Sequence, residues 1–147
     1  MSKRFVVLGI LAWYLAAAGA TSADAPPGRY TFSTSGVVYD VRTRLAWQRE
    51  VQSSSMSWAD AGAYCAALPL DGTGWRLPTR AELLSIVDAT QVAPAIDPSS
   101  FPRTPAEYFW SSSPNAGFPD MAWKVGFADG DTLTDQKTST LYVRCVR

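Results

Sequence analysis

Gly74 to Asp88 (Gly-Trp-Arg-Leu-Pro-Thr-Arg-Ala-Glu-Leu-Leu-Ser-Ile-Val-Asp) constrains the fold more than any other stretch of this chain, because it must be extended at one end and helical at the other. Pro78 biases Leu77 away from helical backbone. Thr79 is then a strong N-cap, and Glu82 three positions later completes a capping box that satisfies two unpaired backbone donors. Leu83, Leu84, Ile86 and Val87 supply an apolar face for a core. In the extended part Trp75 and Leu77 alternate with Arg76, so one side points inward and the other to water.

The flanking chain supplies layers for that helix to pack on. Tyr30–Phe32 reads as a short strand, and Val37–Asp40 and Leu45–Gln48 as a hairpin across a turn at 41–44, with Trp47 inward. Ser57 caps a first helix whose Trp58, Ala61, Gly62, Cys65 and Leu68 recur at helical spacing until Pro69. Thr90–Phe101 is a long loop. Tyr108–Ser112 and Ala122–Phe127 are strands separated by a turn-rich connector at Ser113–Pro119, and Asp129-Gly130 marks a hairpin turn into a strand starting at Thr132. Leu141–Val146 closes as a final strand, with Tyr142, Arg144 and Val146 on one face and Leu141, Val143 and Cys145 on the other. Two helices among short antiparallel strands define α+β.

With 147 residues, 47% of them hydrophobic and 12% aromatic, one folded domain is expected, over residues 30–147. Residues 1–23 have the pattern of a secretory signal peptide: Lys3 and Arg4, an uncharged apolar run from Phe5 to Ala18, then small residues that allow cleavage after Ala20 or Ala23. The alternative is a retained anchor helix, for which the run is short. Residues 24–29 read as a linker. Removing Lys3 and Arg4 leaves 11 basic and 13 acidic residues, a net charge of −2. With no basic run anywhere, nucleic acid is not an expected partner.

Cys65 and Cys145 are the only cysteines. In an exported protein an even pair suggests a disulfide, here joining the first helix to the last strand; the competing reading is two free or metal-binding thiols. There is no histidine. That removes Ser-His and Cys-His nucleophile pairs, histidine-based zinc sites and the commonest general base, so an enzyme is not expected.

The stretch "GWRLPTRAELLSIVD", the later "FWSSS" and the terminal "YVRCVR", in that order, resemble the Lcl C-terminal domain family, found in secreted bacterial proteins that include collagen-like adhesins. The resemblance runs from about Tyr30 to Arg147. It implies a C-type-lectin-like fold close to that of formylglycine-generating enzymes, with the Cys65–Cys145 link. The reactive cysteines of those enzymes have no counterpart if Cys145 is structural.

The expectation is therefore a secreted or periplasmic, non-catalytic binding module. Its partner would be a glycan, as the family's adhesins suggest, held by loops around 91–120. The alternative is a protein-interaction or structural module of the cell envelope. Arg76, Arg80 and Arg103 are candidates for reading an acidic group, against a structural ion pair of Arg76 or Arg80 with Asp88 or Glu82; Phe101, Tyr108 and Phe118 are candidates for an apolar contact surface. No cofactor is expected. Asp129, Asp131 and Asp135 form a loose oxygen cluster that calcium could use, against the simpler reading of a solvated hairpin tip. The acid-Pro-acid and Trp-Asn-Asp triplets of calcium-dependent lectins are missing: only Ser113-Pro-Asn115 comes near.

Overall fold

The computed structural model describes residues 26–147; residues 1–23, read from the sequence as a signal peptide, lie outside the described residues. The chain forms an α+β domain with two three-stranded antiparallel sheets and two short helices. The first sheet has the order β1 (Tyr30–Phe32), β2 (Val37–Asp40), β3 (Leu45–Gln48). Helices α1 (Trp58–Ala66) and α2 (Arg80–Ser85) follow, and the second sheet has the order β4 (Tyr108–Asn115), β5 (Phe118–Gly126), β6 (Thr132–Gln136).

Local chemistry accounts for most boundaries. Ser57 Oγ accepts from the Asp60 amide to open α1, and Thr79 with Glu82 forms the complete capping box of α2. In the β2–β3 turn the Asp40 carboxylate accepts from the Arg42 amide, and Arg44 takes a φ of 61°. In the β5–β6 turn Gly130 has a φ of 87°, and a Cβ there would stand 2.7 Å from Val87 Cγ1, so only glycine fits against α2's exit. Three boundaries differ from the sequence reading. The connector at 113–119 is mostly strand, because β4 continues to Asn115 and β5 begins at Phe118, leaving a tight turn in which Asn115 Oδ1 accepts from the Gly117 amide. Helix α2 ends at Ser85, so Val87 packs from the segment after it. Arg29, read as linker, belongs to the fold: it pairs with the buried Asp40 at 2.7 Å and donates to the Ser85 carbonyl.

Each sheet contributes to two cores. Val38 and Trp47 of the first sheet join Leu83, Ile86, Ile96, Phe101, Phe109, Val125, Phe127 and Val146. Val37 faces the other way, with Ala61, Cys65, Trp75, Leu77, Trp110, Ala122, Val143 and Cys145. Alternation along β4 explains the split, since neighbouring Phe109 and Trp110 point to opposite faces. Burying three tryptophans (Trp47, Trp75 and Trp110) gives this small domain a large apolar payload.

The C-terminal segment is not one strand of one sheet. Leu141 pairs with Met56, Tyr142 runs parallel to Phe109, and Val146 pairs with both Trp47 and Arg76. Cys145 and Arg147 bond to β3 through Gln48 and Ala46. The segment thus stitches the two sheets to the stretch before α2. For that reason Val143, Arg144, Cys145 and Val146 are all buried, and the expected alternation fails there. The Cys65–Cys145 disulfide locks this segment to α1, with a Cα–Cα distance of 5.4 Å.

Candidate functional site

Two grooves flank the loop that leaves β3. The first, of about 370 Å³, is lined by Gln48, Arg49, Gln52, Tyr64, Leu68 and Leu70 among others. The second, of about 440 Å³, is lined by Glu50, Gln52, Ser53, Arg103, Pro105 and Tyr142. Glu50, Val51 and Gln52 line both, so they form a ridge between them. Both volumes fall in the range of about 300–1,000 Å³ usual for ligand sites. A third hollow of about 200 Å³ lies beside Arg29, Tyr30 and Asp97.

The first groove is assembled by a hydrogen-bond relay. The Gln48 amide donates to the Tyr64 hydroxyl at 2.7 Å, and its carbonyl accepts from the Cys145 amide at 3.1 Å. Tyr64 and Leu68 are four apart at the end of α1 and the turn after it, which puts both on the same side as the groove. The Tyr64 oxygen is fixed as an acceptor, and its own proton has no acceptor among the described residues. Tyr64 is therefore an oriented donor on a partly apolar wall.

The floor between the grooves is held by a buried cation. Arg144 is 0% exposed; Nη1 donates to the Gln48 and Arg49 carbonyls at 2.6 and 2.8 Å, and Nη2 to Thr104 Oγ1 at 2.7 Å. Its guanidinium lies 4.8 Å from the Phe101 ring centroid. Burial lowers its pKa from the ordinary value to about 9, so it stays charged at neutral pH.

The residues singled out in the sequence do not gather into one surface. Arg76 makes a bidentate pair with Glu82, and the Glu82 carboxyl is held below its ordinary range first by that bond. Arg80 stacks 4.1 Å over Trp123 of β5. Arg103 lines the second groove, where it pairs with Glu50. Phe101 is a correction: it is 0% exposed, folded down under Arg144 and edge-on to Tyr30 at 5.2 Å, so it cannot touch a ligand. Tyr108 is half-buried; its hydroxyl donates to Asp131 and Lys124 sits over its ring. Phe118 is 64% exposed at the start of β5.

The calcium cluster is a second correction. Asp131 is taken by Tyr108, and Asp135 by Lys124 at 2.8 Å and by Ser139; Asp129 caps the Asp131 amide. Among the described residues no three acids, cysteines or histidines gather to hold a metal. The groove residues Gln48, Gln52, Tyr64 and Tyr142, and the buried Arg144 that braces them, were not candidates in the sequence. Of these only the Tyr64–Leu68 spacing carried a local signal.

Among the described residues, the fold and grooves define a disulfide-locked α+β domain with open surface grooves. The family model of the Lcl C-terminal domain matches residues 36–147, and the chain belongs to that family. No curated protein matches the chain. Among the described residues no helix is long and apolar enough to cross a membrane.

Proposed function

We propose that this protein is an exported, non-catalytic module that binds a glycan in the grooves beside the Glu50–Gln52 ridge. The observation that carries the reading is the first groove. Tyr64 there presents an oriented hydroxyl donor beside Leu68, Leu70 and the Gln52 amide, a mix of apolar wall and placed polar groups that suits a sugar ring. Of the 91–120 region, Arg103 and Pro105 line the second groove; the first groove draws on β3, the loop after it and the end of α1.

Export is supported by the charged and apolar pattern of residues 1–23 and by a disulfide that persists best in oxidising compartments. A non-catalytic role is supported by the absence of histidine and by both cysteines being bonded. The C-type-lectin-like reading of the fold is supported by the link from the first helix to the C-terminal segment. The test is a broad glycan array probed with calcium and with chelator. Binding that survives chelation and is lost in Tyr64→Ala supports the reading. Binding lost with chelator would mean that recognition depends on a metal and would overturn the Tyr64 groove as its seat. No binding under either condition would overturn the glycan reading in favour of a protein partner in the envelope.

A further inference from the structure

The two grooves share their dividing wall, and their linings differ. The first offers the Tyr64 hydroxyl with Leu68 and Leu70. The second offers Arg103, Pro105 and Tyr142. Gln52, exposed on the ridge, lines both, so its amide can donate to one side while its carbonyl accepts from the other. The spacing of the two sides is set in advance. Arg144 ties the backbone of Gln48 and Arg49, at the base of the ridge, to Thr104, next to the Arg103 and Pro105 wall. The backbone at the foot of the ridge is thus tied to the foot of the Arg103 wall, which lowers the ordering cost of a ligand that spans both depressions.

From this geometry we propose that the grooves are two subsites of one site. The occupant is a carbohydrate chain of at least two units that crosses the Glu50–Gln52 ridge, not a single sugar. This rests on the glycan reading above. One unit lies against Tyr64 and Leu68 and the next lies on the Arg103 side. Gln52 bonds both units across the linkage. A monosaccharide would fill one groove and leave the other solvated, forgoing the Gln52 bridge and the second set of contacts.

The test is calorimetric titration of the purified protein with xylo-, cello-, chito- and galacturono-oligosaccharides of one to six units. The expected result is at least a tenfold gain in affinity between one unit and three or four for the preferred series, then a plateau. Arg103→Ala and Gln52→Ala, both at exposed positions, should flatten that length dependence. Tyr64→Phe should weaken every length. Equal affinity for one unit and for longer chains would overturn the two-subsite proposal while leaving the glycan reading standing. A length dependence that persists undiminished in both Gln52→Ala and Arg103→Ala would overturn it as well. No binding by any member of the panel would overturn both readings together.

Discussion

Arg144 and Thr104 are joined by a buried hydrogen bond of 2.7 Å between segments 40 residues apart in the chain. Both residues are buried, Arg144 completely, and the guanidinium has no carboxylate partner among the described residues: it is held by two carbonyls, one hydroxyl and an aromatic ring. Its Nε finds no acceptor. A buried cation solvated only by neutral oxygens is costly, so its retention ties the C-terminal segment, the exit of β3 and the 101–104 turn into one unit.

Replacing Arg144 tests that tie. Arg144→Met removes the cost of burying charge but leaves the Gln48 and Arg49 carbonyls and Thr104 without their donor, at about 1–3 kcal/mol for each orphaned group. The net expectation is a loss of roughly 2–4 kcal/mol, read as a lower urea midpoint at unchanged slope. Thr104→Val should cost less in the Arg144→Met background than in the wild type. Equal costs in the two backgrounds would mean that the bond is worth nothing.

The disulfide makes a larger and simpler prediction. Cys65 and Cys145 are 80 residues apart, and constraining a loop of that size stabilises by roughly 4.5 kcal/mol in the chain-entropy account. Both sulfurs are buried, so reduction should be slow in the folded protein and fast once it opens. Cys65→Ala with Cys145→Ala should lower Tm by on the order of 10–20 °C. A Tm within 2–3 °C of wild type, a shift worth only about 1 kcal/mol in a domain of this size, would show the constraint to be dispensable.

Acid should act on α2 through Glu82. The Arg76 guanidinium and the Thr79 amide hold its carboxyl below the usual range. A depressed folded pKa contributes stability that is complete above the unfolded value, about 4.3, and is lost as pH falls through the folded value. Because Arg76 is half-exposed, the contribution is about 0.5–1 kcal/mol. Glu82→Gln keeps the capping geometry but not the charge. Its stability should change less than the wild type's between about pH 5 and pH 3, measured by denaturation at each pH. Parallel curves would remove Glu82 from the acid response.

How much of this was legible depended on the range of the interaction. Caps and turns are decided within four residues, so Ser57, Thr79 with Glu82, and the Asp129-Gly130 turn are found where the sequence puts them. The Cys65–Cys145 link was legible because only two cysteines exist. The C-terminal segment was misread because strand alternation assumes one sheet with one wet face. This segment instead crosses between two sheets and is buried all round. The grooves were out of reach for the same reason: Gln52, Tyr64 and Arg103 come together only through the relay of Gln48 and Arg144. No local pattern encodes that relay.

Phe101 and Phe118 make the clearest contrast between pattern and packing. Both follow loop-like sequence and carry the same side chain, yet one is wholly buried and the other is 64% exposed. Phe101 packs in the core with Tyr30 edge-on and the Arg144 guanidinium above it, so Phe101→Ala loses transfer energy, leaves a cavity and withdraws the ring from a buried cation. The expected cost is about 3–5 kcal/mol, with a further loss of groove shape because Thr104 is anchored on the Phe101 carbonyl. Phe118→Ala removes only exposed surface at the tip of the β4–β5 hairpin and should change stability by no more than about 0.5 kcal/mol. Urea denaturation of the two variants side by side checks both values. Similar costs would mean that Phe118 is covered in solution, by a second copy or another molecule seated on that tip.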